Sequence, residues 1–159
     1  MNRNNLAIFR TILWIGLVAG TLDITENLIF SQLRGVTAWR VFQYIASGLI
    51  GSQAFQSGWA SVLLGVALHY IIALIWTAVF YLIAHKFAVV VRRPVLSGLL
   101  YGGVVYLIMN FIVVPLSGVA HPLRPITLVS RINAVLALLL CIGLPISLLM
   151  RRTLFQVRN

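Results

Sequence analysis

The chain has only two acidic residues, Asp23 and Glu26, and both fall inside a long apolar run. A carboxylate near the centre of a membrane helix costs about 2.5–3.5 kcal/mol on insertion scales, so it faces protein or a water-filled cavity. There it pairs with a cation or handles protons and ions. Helical geometry makes the placement specific. Gly16, Gly20, Asp23 and Asn27 follow at spacings of four, three and four and share one face. Glu26 lies about 60° to the side of Asp23 at ~100° per residue. Both carboxylates are therefore expected on the small-residue side of their helix.

Other apolar runs bring polar groups to a similar depth. Gly103, Tyr106, Asn110 and Ser117 share a face of the third run, and Arg131 and Asn133 open the fourth. A guanidinium beside a buried carboxylate makes both tolerable in a low-dielectric setting, so Asp23 or Glu26 is expected to pair with Arg131, or with Arg40. Two readings stay open. The pair locks the first helix to the fourth, or the cluster is an outward-facing polar pocket for an ion, a proton or a small solute.

His69 lies near the middle of the second run and reads as a helix-to-helix hydrogen-bonding residue. A bis-histidine haem needs a second histidine at matching depth, and His85 and His121 fall near opposite surfaces. Cys141, the only cysteine, excludes an intramolecular disulfide framework and a thiolate metal cluster. There is no Gly-rich phosphate loop, nucleophile elbow, HExxH or CxxC. A non-enzymatic protein with no catalytic residue, metal or cofactor is expected.

The elements that must position these residues follow from composition. Only 9% of the 159 residues are charged and mean hydropathy is +1.03, whereas a soluble domain needs about a quarter charged to cover its surface. Lipid must cover this one. Four apolar stretches, roughly Thr11–Phe30, Trp59–Ala84, Val95–Leu116 and Ile132–Met150, are each near the ~20 residues that span a bilayer as a helix. They lack the alternation of a transmembrane β-strand. The fold expected is an all-α membrane protein, a compact bundle of four transmembrane helices forming one domain over residues 1–159. A rival reading of the first run is a signal peptide cleaved near Val18-Ala19-Gly20, but the apolar run resumes to Phe30.

The twelve Lys and Arg residues give a net charge of +10, spread through tails and connections. No basic domain stands apart for nucleic acid, so none is expected to bind; contact with anionic lipid headgroups is. Arg3, Arg10, Lys86, Arg92, Arg93, Arg151, Arg152 and Arg158 lie on one side, against Arg34, Arg40, Arg124 and Arg131 on the other. The positive-inside rule then puts both termini in the cytoplasm.

Between the first two spans, Arg40, Gln43 and Ser47 share one helical face, with Trp39, Phe42, Ala46 and Leu49 largely away from it. That pattern suits a short interfacial helix; a re-entrant half-helix is the alternative, because Gly48 and Gly51 permit a reversal. Pro115, Pro122 and Pro125 predict a stiff, non-helical third connection. Trp39 and Trp59 sit where interfacial anchors belong.

Helices in lipid pack through small residues. Gly16 with Gly20 and Gly98 with Gly102 form GxxxG pairs. Ser61, Gly65, His69 and Ala73 recur in the second run, and Ser130, Ala134, Ala137 and Cys141 in the fourth. These stripes predict a compact bundle, with a homodimer on one GxxxG motif as the alternative.

The runs Gly16-Leu-Val-Ala-Gly-Thr-Leu-Asp23, Ile45-Ala-Ser-Gly-Leu-Ile-Gly51, His69-Tyr-Ile-Ile-Ala73, Tyr101-Gly-Gly-Val-Val-Tyr-Leu-Ile-Met-Asn110 and Val114-Pro-Leu-Ser117 resemble the YagU-like family of bacterial inner-membrane proteins. The likeness covers roughly residues 14–118. It implies a bacterial cytoplasmic membrane and four helices, and brings no activity with it. The function expected is an intramembrane polar pocket that moves or senses protons or a small solute. The alternative is a structural or accessory subunit of a larger membrane complex.

Overall fold

The computed structural model describes residues 3–119, 123 and 125–156. Expectations that rest on His121, Pro122, Arg124 and Arg158, or on the side chain of Arg3, lie outside the described residues. The helices are α1 Arg3–Leu33, α2 Ala38–Ile50, α3 Gly58–Lys86, α4 Ala88–Arg92, α5 Pro94–Leu116 and α6 Leu128–Thr153. Among the described residues there is no strand. Four of the helices, α1, α3, α5 and α6, are long and apolar enough to cross a membrane. The protein is all-α and multi-pass.

The helices run past the apolar stretches because hydrogen bonding continues into the polar flanks until a cap stops it. Gly35, at φ 73, ends α1: its N–H donates to the Gln32 carbonyl at 2.9 Å and that of Val36 to Ser31 at 2.9 Å. This Schellman closure needs a left-handed residue, which glycine supplies without a Cβ penalty. Thr37 then caps α2 by accepting from the N–H of Arg40. Pro94 occupies the first turn of α5, where its missing N–H has no intrahelical partner to lose. Thr127 and Ser130 form a reciprocal capping box at the start of α6.

The chain order puts the start of α1, α4 and the end of α6 at one end of the bundle, with Arg10, Lys86, Arg92, Arg93, Arg151 and Arg152. The opposite end holds α2, the connection after α5, Arg34, Arg40 and Arg131. We call these the basic end and the capped end. At the capped end Gly118 donates its N–H to the Gly48 carbonyl at 2.9 Å, docking the connection onto α2.

Packing follows the small residues. A Cβ on Gly16 would meet Leu74 at 2.7 Å and one on Gly20 would meet Ala73 at 3.0 Å, so that stripe of α1 lies on α3. A Cβ on Gly98 would meet the Gly143 carbonyl at 2.8 Å and one on Gly102 the Leu138 carbonyl at 2.5 Å, so α5 lies on α6. Both GxxxG pairs are thus packed against helices of the same chain. Gly65 packs directly under the Phe42 carbonyl, where α2 crosses α3. The stripe on α3 therefore serves two neighbours: Ser61 and Gly65 face α2, His69 and Ala73 face α1.

The core comprises Ile15, Ala19, Phe80, Ala84, Tyr101, Val105, Ile142, Ile146 and Met150. They run from the middle of the bundle to the basic end, and Tyr101 donates its hydroxyl to the Trp76 carbonyl at 2.5 Å. Toward the capped end, no residue of Met109–Val113, Val114–Leu116 or Leu128–Ala137 is buried. Two π-helical segments, Met109–Val113 and Leu138–Gly143, each end two residues before a proline, Pro115 and Pro145. Proline lacks the N–H and its ring crowds the preceding turn, and a widened turn relieves both.

Three expectations change. Pro115 lies within the last helical turn, Val114–Leu116, so the non-helical connection starts at Ser117. The polar face of α2 turns inward: Gln43 is 2% exposed and Ser47 fully buried, and the Gln43 amide donates to Ser61 at 3.5 Å. Val41 and Ala46 are buried beside them, while Arg40 and Leu49 are exposed, so α2 buries a mixed polar and apolar face. On α6 the close approach to α5 is made by Gly143 and Ser147, whose hydroxyl donates to the Pro94 carbonyl at 2.7 Å. Ser130 of the expected stripe uses its hydroxyl in the helix cap instead.

Candidate functional site

The two acids of α1 face different neighbours. On the α3 side, the His69 Nε2–H donates to the Gly20 carbonyl at 2.8 Å, and Thr21 shares a hydrogen bond with the Tyr70 hydroxyl at 3.0 Å. That carbonyl belongs to an intact helix, so the histidine ties α3 to α1 through the spare lone pair. Asp23, one turn beyond Gly20, has His69 and Glu26 as its titratable neighbours. Cys141 of α6 lies within electrostatic reach of both acids.

Glu26 turns toward α6. Its Oε1 accepts from the Asn133 amide at 2.9 Å. Its Oε2 is buried and has no partner. The guanidinium expected here is elsewhere: no ion pair joins Asp23 or Glu26 to Arg131 or Arg40. Arg131 is exposed, and it stands two residues from Asn133, about 200° around the helix at ~100° per residue. Only one of the two can face α1. Arg40 lies over the Phe55 ring, 5.4 Å from its centroid. A neutral amide holds one carboxyl oxygen and the other stays open, at a cost of about 1–3 kcal/mol or more for an unsatisfied buried polar atom.

Beside this carboxyl a groove of about 440 Å³ runs along the flank of the bundle between α1 and α6. Leu22, Ile29, Phe30 and Leu33 form its apolar walls. Thr21, Thr25, Glu26 and Asn133 supply its polar groups. The walls face outward, with Ile29 59% and Leu33 82% exposed. No residue of the first turns of α6 is fully buried beside the groove.

The remaining expected site residues are not gathered here. Asn27 is exposed and accepts from the Ser31 hydroxyl at 3.3 Å. Asn110 is exposed, and its amide donates to the Tyr106 carbonyl of its own helix at 3.0 Å. The reason is positional, since α5 packs on α6 and not against the acid-bearing part of α1. Asn133 is the hydrogen-bonding neighbour that charge-pair reasoning passes over, although it follows Arg131 at the helix start. Its signal is the two-residue offset, which lets only one of the two face α1. Among the described residues no group of three His, Cys, Asp or Glu side chains stands ready to hold a metal ion. No family model, no curated protein and no solved structure matches the chain.

Proposed function

We propose that this chain binds protons or a small solute at the Glu26 carboxyl within the bilayer, the step that transport and sensing share. The observation that carries this reading is the buried, unpartnered Oε2 of Glu26. An acid whose only purpose is to lock helices has both oxygens satisfied, because an open one weakens the lock. An open oxygen beside a groove is a place for a proton or a ligand donor.

The same reading puts the protein in a bacterial inner membrane with both termini cytoplasmic. Its support is the excess of Arg and Lys at the basic end, where anionic headgroups gather. The resemblance to the YagU-like family is offered as kinship on its sequence runs alone.

The test is infrared difference spectroscopy on protein reconstituted in lipid, recorded as the pH is lowered. With only two acidic side chains in the chain, the carboxyl region has few contributors. The titratable groups facing Glu26 are Asp23 on α1 and Cys141 on α6, with His69 on α3 beside Asp23. Wild type should show two side-chain carboxyl components as the pH falls, one lost in Glu26→Gln and the other lost in Asp23→Asn. Identical spectra for wild type and Glu26→Gln would sink the reading and leave an accessory-subunit role in its place.

A further inference from the structure

The groove specifies a class of ligand. We propose that it takes a lipophilic organic cation from the bilayer, with the charged centre beside the Glu26 carboxyl that lines the groove and the apolar body along Leu22, Ile29 and Leu33. This rests on the reading of Glu26 as a binding carboxyl.

Charge comes first. Oε2 of Glu26 has no hydrogen-bond partner, and the neighbouring guanidinium groups do not supply one. Arg131 is exposed on another face of α6, Arg34 donates to the Pro125 carbonyl at 2.8 Å, and Arg40 lies over Phe55. A neutral acyl chain would fill the walls and leave the carboxyl without a counter-charge. A ligand that carries its own positive charge satisfies both.

Shape and position select the rest. From Thr21 to Leu33 the groove follows α1 for about 18 Å at ~1.5 Å per residue. Its volume of about 440 Å³ falls within the ~300–1,000 Å³ of small-molecule sites. Walls with outward-facing Ile29 and Leu33 are reached from the lipid side, which favours a solute that partitions into the membrane. A bare inorganic cation fits poorly. A calcium-like ion needs about 6–8 oxygen ligands, whereas the groove's polar groups are the Glu26 carboxyl, the Asn133 amide and two threonine hydroxyls, one of them bonded to Tyr70. The Thr25 hydroxyl stands one residue from Glu26 and can accept from an ammonium N–H.

The experiment measures binding of tetraphenylphosphonium to the full-length protein in phosphatidylcholine nanodiscs, with empty nanodiscs as background. Wild type should bind saturably, and Glu26→Gln should bind about tenfold or more weakly. Ile29→Trp, at a mostly exposed position, should block the groove and lower affinity by a similar factor while keeping the Glu26 infrared component. Equal binding to wild type and Glu26→Gln overturns the proposal, as does no saturable binding to wild type. If the Glu26 component titrates but the phosphonium does not bind, the ligand class falls and the proton site stands. If neither is seen, both fall.

Discussion

The two ends of this bundle solve different problems with the same helices. Toward the basic end, Ile15, Ala19, Phe80, Tyr101, Ile146 and Met150 close a core around which all four crossing helices meet. Glycines let backbones touch there, with Gly143 under the Gly98 carbonyl and Gly102 against Leu138. Toward the capped end, the first turns of α6 and the last turns of α5 bury nothing. The acids, Asn133 and the groove lie toward that looser side, whereas at the same end α2 packs tightly on α3 and buries Val41, Gln43, Ala46 and Ser47. Because lipid is as apolar as leucine, helices close up only where small residues allow dispersion contact, and elsewhere they stand apart. The π segments before Pro115 and Pro145 lie in the same two helices that diverge.

The largest expected effect breaks the tight half. Gly143→Val places a side chain on the Gly98 carbonyl and the Gly102 backbone, and should destabilise by about 3 kcal/mol or more in a detergent unfolding titration. Gly103→Val, where a Cβ meets nothing within 4 Å, should stay within about 0.5 kcal/mol of wild type. Equal losses at both positions would mean that the stripes do not set the packing.

The open half should respond differently. Asn133→Leu leaves both Glu26 oxygens without a partner and should cost about 1–3 kcal/mol. Glu26→Leu combined with Asn133→Leu should recover most of that loss, since replacing both partners is nearly neutral. A double mutant as unstable as Asn133→Leu alone would assign the loss to packing and not to the carboxyl. His69→Leu, removing the donor to the Gly20 carbonyl, should cost about 0.6–1.7 kcal/mol, because that carbonyl keeps its own helical bond.

The smallest effect sharpens the picture of α2, which caps the open half. Burial pushes the Tyr44 phenol above its ordinary range. A raised value means the folded state holds the proton more tightly. Stability from this group is therefore full below the unfolded value near 10.0 and is lost as pH rises through the folded one. Tyr44→Phe should flatten that part of the alkaline unfolding curve, followed by phenolate absorbance. An unchanged slope would place Tyr44 in water.

Much of this was legible in the chain itself. Long apolar runs can meet their backbone hydrogen-bonding needs in lipid only as helices, so four spans follow from composition and length. That Asp23 shares a face with Gly16 and Gly20, with Glu26 to its side, follows from a period of 3.6; the exposure of Asn27 on that same stripe does not. Partners were a different matter. Sequence supplies the direction a side chain takes from its own helix, but not which helix stands opposite. Arg131 and Asn133 are equally available by depth, and the rotation of α6 about its axis chose the amide. The glycine pairs announce close approach and say nothing of whether a neighbour or a second copy fills it; α3 and α6 fill it here. Gln43 and Ser47 look like a water-facing stripe until Ser61 of α3 offers a hydroxyl. Local periodicity determined the elements and their faces, whereas contacts between faces depend on distant residues, and only tertiary packing decided those.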